Sequence, residues 1–350
     1  MDTATPNVSV TKKSYASVSL LRLVAIALVF TFHIFYFGTE VDQYPWVYLF
    51  SGAVQTFFFL SGLLYSKRRH FDSGFYYREG QKLFGPCLVY FIVLILVDLG
   101  EISREGEALN FLNVKMTMGN FSPNGVYNIQ FGNLWFLPAF FVCYLLTPLL
   151  AKIATKSQKL LLILTLIENA VEATLMVFFG FPGIGIPYLW GYLLGGKDFE
   201  GEFEPAKKKN VFFFLWPWLA LALLVAWNFS SPLLSGTWHW VVYYTNGPLK
   251  SVFGILFGIA FLRSTRFLNK NNEPRLLKSA GNLVFWIFLV HESIMTGFFN
   301  PLLQTSSFAL GIVYSLLASI VLSLLLKFLD DYLKYFIASA HNGGQPLALR

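Results

Sequence analysis

Charge is what this chain lacks. Only 13% of its 350 residues are Asp, Glu, Lys or Arg, about half the share of an ordinary soluble domain. Cysteine is almost absent too: Cys87 and Cys143 both sit in apolar runs, which excludes a disulfide framework. The first fifteen residues hold no apolar core, which excludes a cleavable signal and leaves the first apolar run as a retained span. No internal repeat or low-complexity tract is present, and no connection is long enough for an independent soluble domain. What remains is 55% hydrophobic, with 38 phenylalanines, the composition of a polytopic membrane protein.

Apolar runs of roughly 17–25 residues are the unit to count. Ten can be read, at about 18–37, 46–65, 83–99, 131–151, 160–180, 181–196, 211–229, 245–262, 281–300 and 308–329. In the weakest pair, Glu168 and Glu172 interrupt one run, and "GFPGIGIP" reads as a tight turn or a re-entrant break. Basic residues set the orientation. With the N-terminus inside, only Arg104, Lys115 and Lys250 of the 26 Lys and Arg fall outside the cytoplasmic ends and loops. The outer loops carry Glu40, Asp42, Asp98, Glu101, Glu105 and Glu107 instead. The net charge of +7 therefore faces anionic membrane lipids, and no nucleic acid is expected. The fold expected is an all-α, polytopic transmembrane helix bundle of about ten spans, multi-pass in the cell membrane with both termini cytoplasmic. Its single membrane domain runs over 18–337, between tails at 1–17 and 338–350.

Two ionisable residues in the first run raise the functional question. Arg22 and His33 stand eleven positions apart in "LLRLVAIALVFTFHIFYFG", about 16 Å along a helix and on nearly one face. Each has a plain structural reading: the arginine snorkels to headgroups, and the histidine bridges two helices. Together they suggest more. A guanidinium at the cytoplasmic mouth suits phosphate or diphosphate, and an imidazole deeper on the same face can take a proton from a hydroxyl or carry an acyl group. An acyl donor with a phosphate-rich handle about 15 Å from its reactive end fits that spacing; acyl-coenzyme A is one.

Other groups invite two readings as well. Glu168 and Glu172 share a helix face, as a proton path, a partner for a catalytic histidine or a sugar contact, or else as an interhelix bridge. His291 and Glu292 lie near the middle of the ninth run, though neighbouring positions diverge by about 100°. Ser61 and Gly62 lack the context of a nucleophile and read as small residues permitting close helix approach. Arg68 and Arg69 join Arg22 on phosphates or serve only the positive-inside rule. Trp135 and Tyr144 read as core or belt residues, and Trp238, His239 and Trp240 as an interfacial belt or as aromatic faces for stacking on sugar rings. The outer segments 100–130 and 230–244 read as a small lid and an aromatic edge.

The opening run "LLRLVAIALVFTFH" resembles the first helix of the acyltransferase-3 family of integral membrane acyltransferases, in which arginine is followed after ten residues by histidine. "QTFFFLSGLLYSKRR", "NLWFLPAFFVCYLLTPLL" and "NLVFWIFLVHESIM" are similar to three later stretches of that family, in the expected order. Ser19 stands where the family often has aspartate, and Val284, Phe285 and Phe288 where serine and tyrosines are usual. The resemblance implies a membrane O-acyltransferase, most simply an O-acetyltransferase, taking acetyl-CoA or another acyl-CoA from the cytoplasm. The acceptor implied is a glycan or lipid-linked sugar outside, with glycan-assembly proteins as partners. It implies Arg22, with Arg68 or Arg69, on the donor phosphates and His33 as base or acyl carrier. His291, Glu168 and Glu172 are further catalytic candidates. No metal and no resident cofactor is expected. Some relatives fuse a second transferase domain outside, which this sequence does not show. A proton-coupled transporter or flippase, and a non-catalytic scaffold, are the competing readings.

Overall fold

The computed structural model describes residues 15–38, 45–68, 71–105, 136–179, 183–195, 211–230, 237–270, 272–296 and 307–341. Among them are ten α-helices and no strand. They are α1 (Ala16–Gly38), α2 (Ala53–Tyr65), α3 (Phe75–Glu105), α4 (Phe136–Lys156), α5 (Gln158–Phe179), α6 (Gly185–Gly195), α7 (Val211–Ser230), α8 (Thr237–Thr265), α9 (Arg275–Thr296) and α10 (Phe308–His341). Short 3₁₀ helices at Pro45–Gly52 and Arg266–Lys270 lead into α2 and follow α8. By length and composition, five helices contain segments that can cross a membrane: Ala16–Tyr36, Ala139–Lys156, Gln158–Phe178, Pro248–Asn269 and Phe308–Phe336.

Each of the ten apolar runs overlaps a helix within the described residues, but several boundaries differ. α3 begins at Phe75, well before the expected 83, because polar Arg78, Glu79 and Lys82 extend the helix beyond its apolar part. α10 continues to His341, held along its polar end by i to i+4 ion pairs from Lys327 to Asp331 and from Lys334 to Asp330. α6 is only 11 residues long, about 16 Å against a hydrocarbon core of about 30 Å.

Interhelix contacts define direction as well as packing. Gly62 meets the backbone of Tyr188 and Tyr192, and Gly191 and Gly195 meet that of Phe59 and Leu63, so α2 and α6 run parallel. Gly254 lies against Gln55 and Gly258 against Phe59, making α8 parallel to α2. Ser19 touches Gly281 while His33 touches His291, making α9 parallel to α1. Ser19 owes its small size to this contact, since a Cβ built on Gly281 would lie 2.9 Å from Ser19 Cβ.

The largest apolar core joins α1, α2, α3, α4, α5, α6, α9 and α10. At its centre Phe58 stacks on Phe140 at 4.1 Å, and Phe136 meets Phe288 edge-on at 4.4 Å. A second core joins α1, α2, α7 and α8. Helices in lipid gain little from burying apolar surface, so close backbone approach through small residues carries the association. Gly62 is such a small residue: its hypothetical Cβ would strike the Tyr188 carbonyl.

Gly62→Leu is expected to cost on the order of 1–3 kcal/mol or more through overpacking. Gly80→Leu serves as the control, because a Cβ there meets only the Phe84 ring edge, at 4.0 Å. Thermal melting of the purified protein reads the difference; equal melting temperatures for the two variants would contradict the α2–α6 contact.

Candidate functional site

α1 is one uninterrupted helix, so Arg22 and His33 do lie three turns apart on a single rigid rod. Its start is fastened by Asn269, which accepts from the Ser17 N–H at 3.0 Å and donates to Ser17 Oγ at 2.8 Å. This satisfies an otherwise orphaned N–H of the first turn.

Deeper along α1, His33 meets His291 of α9. Their ring centres are 4.8 Å apart, and His33 Nδ1 lies 3.2 Å from His291 Nε2. Hydrogen-bond chemistry assigns the protons. His291 Nδ1 is 2.8 Å from the Phe288 carbonyl and His33 Nδ1 is 3.0 Å from the Val29 carbonyl. A carbonyl only accepts, so both Nδ1 atoms carry hydrogen. Neutral His291 then has its lone pair on Nε2, where it accepts from His33 Nδ1–H, and His33 carries its own lone pair on Nε2. Phe32 edges His33 at 5.0 Å, while Phe30 and Phe288 tilt against His291 at 6.4 and 5.4 Å. His291 is 1% exposed, whereas His33 keeps partial accessibility. Phe288, one of the departures from the family pattern, thus walls the imidazole pair and supplies the carbonyl that orients His291.

Three turns toward the helix start, Arg22 is half-buried, and no hydrogen bond or ion pair to it is found among the described residues. The titratable groups that act on it electrostatically are Tyr144, Glu273 and Tyr65. Tyr65 and Tyr144 lean together, with ring centres 4.9 Å apart. Beyond Tyr65 lies Arg68, its guanidinium 5.0 Å from the Tyr65 ring centre and bonded to Glu79 at 2.9 Å. Glu79 also accepts from Lys82 at 2.7 Å and from the Tyr65 hydroxyl. Burial pushes the Glu79 carboxyl up, but bonds from Lys82, Tyr65 and Arg68 outweigh it and hold Glu79 below the usual carboxylate range. Arg68, expected to join Arg22, packs on the Tyr65 ring, and Glu79 already holds its charge. Arg69 lies outside the described residues.

The acidic pair on α5 lies elsewhere. α5 packs on α4, α6 and α8 rather than along α1 and α9. Glu172, buried, accepts from the N–H groups of Ile184, Gly185 and Ile186 at 2.7, 2.8 and 2.6 Å. Those N–H groups lie at the start of α6, where a helix has no carbonyl of its own to bind them. Glu168 Oε1 lies against Gly185, and its Oε2 is buried without a hydrogen-bond partner. Glu172 is therefore the N-terminal cap of α6, in favourable alignment with the helix dipole.

Sequence reasoning missed Glu79 and Tyr65. The available signal was an acid set between Arg68, Arg69, Arg78 and Lys82. Trp135 and the segment 106–135 lie outside the described residues, as do 231–236; Trp238, His239 and Trp240 fall on α8, and Glu292 on α9. Among the described residues no cluster of His, Cys, Asp and Glu could hold a metal ion.

Residues 15–328 match the acyltransferase-3 family, whose description is an acyltransferase domain. This match covers nearly the whole chain, and the protein belongs to that family. The family is one of acyltransferases, and the apolar helices described above fit a membrane protein. No curated protein and no solved structure matches the chain.

Glu172→Gln should lower the melting temperature by the equivalent of about 1–3 kcal/mol, because a neutral amide replaces a carboxylate holding three N–H groups. Glu168→Gln should change it much less. A Glu168→Gln loss as large as that of Glu172→Gln would count against the capping role.

Proposed function

We propose that this protein is an integral membrane O-acyltransferase, most simply an O-acetyltransferase, moving an acyl group from cytoplasmic acyl-CoA to a hydroxyl of an extracytoplasmic or lipid-linked glycan. The carrying observation is the His33–His291 contact, on the same helix and three turns from Arg22. The proposed topology has ten spans with both termini cytoplasmic. Its alternation requires helices of equal parity to run parallel, as α1 with α9 and α2 with α6 and α8 do. α6 completes its crossing because it starts below the outer end of α5, at the level of Glu172.

In the proposed reaction the donor's diphosphate lies on Arg22, with Arg68 and Arg69 as further basic groups at the mouth. His33 Nε2 removes the proton from the acceptor hydroxyl as the oxygen attacks the thioester carbonyl. The C–S bond then breaks and the leaving thiolate takes the proton from His33. While His33 is charged, its Nδ1–H is held by the Val29 carbonyl and His291 Nε2. His291 is thus a positioning residue that sets the tautomer and stabilises the imidazolium, as a carboxylate does in a serine hydrolase triad. The same Nε2 lone pair also serves an acyl-histidine route, in which His33 attacks the thioester first. Of the two acids on α5 that a proton-coupled carrier could use, Glu172 is committed to the α6 N-terminus, which leaves such a carrier only Glu168.

Purified protein with labelled acetyl-CoA and extracted glycan tests the reading. His33→Ala should abolish acyl transfer while the protein stays folded. Arg22→Ala should raise KM for the donor by about tenfold or more. His291→Ala should lower kcat by roughly 10²-fold and alter the pH–rate profile, which a merely structural histidine would not do. Glycan movement without acyl transfer in the unmodified protein would overturn the enzyme reading.

A further inference from the structure

A cavity of about 390 Å³ opens between the start of α3 and the end of α4, a size within the range of small-molecule sites, about 300–1,000 Å³. Its lining includes neither imidazole of the pair, nor Arg22, nor Arg68. Two opposite charges line it without meeting. Asp72 is exposed and gives Oδ1 to Arg78 at 2.6 Å, while Arg78 is itself exposed and outside the lining. So open an ion pair contributes little, and Oδ2 stands outside it. Lys152, also exposed, has no bonded partner for its ammonium among the described residues, and neither has the Ser73 hydroxyl. Phe71, Phe75 and Pro148 give the cavity its apolar wall.

The position of the cavity matches the edge of a bilayer. Lys152 lies one turn before the end of the span Ala139–Lys156, and Tyr76 and Tyr77 are exposed as an interfacial belt would be. Beyond it α3 and α4 run side by side: the Tyr76 hydroxyl is 3.5 Å from the Leu145 carbonyl, and the Phe84 and Phe141 rings are 5.6 Å apart. Phe84, Leu88, Leu145 and Leu149 are exposed on these two helices. Tyr76 and Pro148 therefore join a charged cavity to an apolar, lipid-facing seam.

We propose that this cavity binds a membrane phospholipid with an ethanolamine headgroup, the phosphate on Lys152 and Ser73, the ammonium on Asp72, and an acyl chain along the α3–α4 seam. The proposal rests on the membrane character of the chain and not on the transfer reaction. Charge complementarity selects the headgroup. The lining offers one base and one acid that leave each other unpaired, which suits a zwitterion better than a ligand of one sign. An ammonium bearing hydrogens bonds a carboxylate, whereas the quaternary ammonium of choline has no hydrogen to give. The apolar seam selects a lipid over a free phosphoamine, because only a lipid has chains to lay on it.

Native mass spectrometry of the purified full chain, titrated with phosphatidylethanolamine, phosphatidylcholine or phosphatidylglycerol of matched chains, tests the site. The native chain should retain one phosphatidylethanolamine about tenfold more tightly than either of the others. In Asp72→Asn the preference over phosphatidylcholine should fall toward one. Lys152→Gln should weaken all three lipids, and Lys152→Arg should restore them, which also controls for folding. Thr155→Trp, which fills the cavity and leaves both charges in place, should weaken phosphatidylethanolamine by about tenfold as well. Equal retention of the ethanolamine and choline lipids by the native chain overturns the proposal. So does tighter binding of phosphatidylglycerol, a preference unchanged in Asp72→Asn, or full retention in Thr155→Trp.

Discussion

A single contact between two imidazoles organises the centre of this protein. His33 and His291 can meet only because α1 and α9 run parallel and close together, and the closeness is set by Ser19 against Gly281. In an apolar interior each imidazole needs partners for its polar atoms. The Val29 and Phe288 carbonyls take one proton each, and those two bonds determine which nitrogen of His33 is left with the lone pair. Backbone geometry thereby fixes the tautomer, and the tautomer defines the chemistry available at that depth.

Two acids follow the same rule of compensated burial. Buried Glu172 is tolerated because three N–H groups bind it, and the start of α6 can be buried because Glu172 is there to accept them. Glu79 is tolerated because Arg68, Lys82 and Tyr65 surround it. Arg22 differs from both, having three electrostatic neighbours and, among the described residues, no bonded counter-ion. A cation left in that condition beside a pair of tyrosines is a place where an anion gains the full value of a charge-assisted bond.

Helix positions were legible from the chain alone because the apolar runs are long and the breaks between them carry basic residues. Boundaries were less so: polar helix ends such as 75–82 and 330–341 have no hydropathy signal. The spacing of Arg22 and His33 was legible because both lie on one helix, where distance follows from the rise per residue. The meeting of His33 with His291 was not, since it joins residues 258 positions apart and only packing decides it. Glu172 shows the opposite limit. An acid in a span reads as chemistry, yet its use as the cap of a short helix depends on where "GIGIP" folds back, which no local pattern gives.

Nitrogen-15 NMR of histidine-labelled protein tests the central claim most directly, since the chain has only five histidines and His33→Gln and His291→Gln spectra assign the two that matter. The expected result at neutral pH is hydrogen on Nδ1 and a lone pair on Nε2 for both rings, with the His291 Nε2 signal shifting when His33 is removed. Hydrogen on Nε2 of His33, or a His291 spectrum indifferent to the loss of His33, would contradict the account.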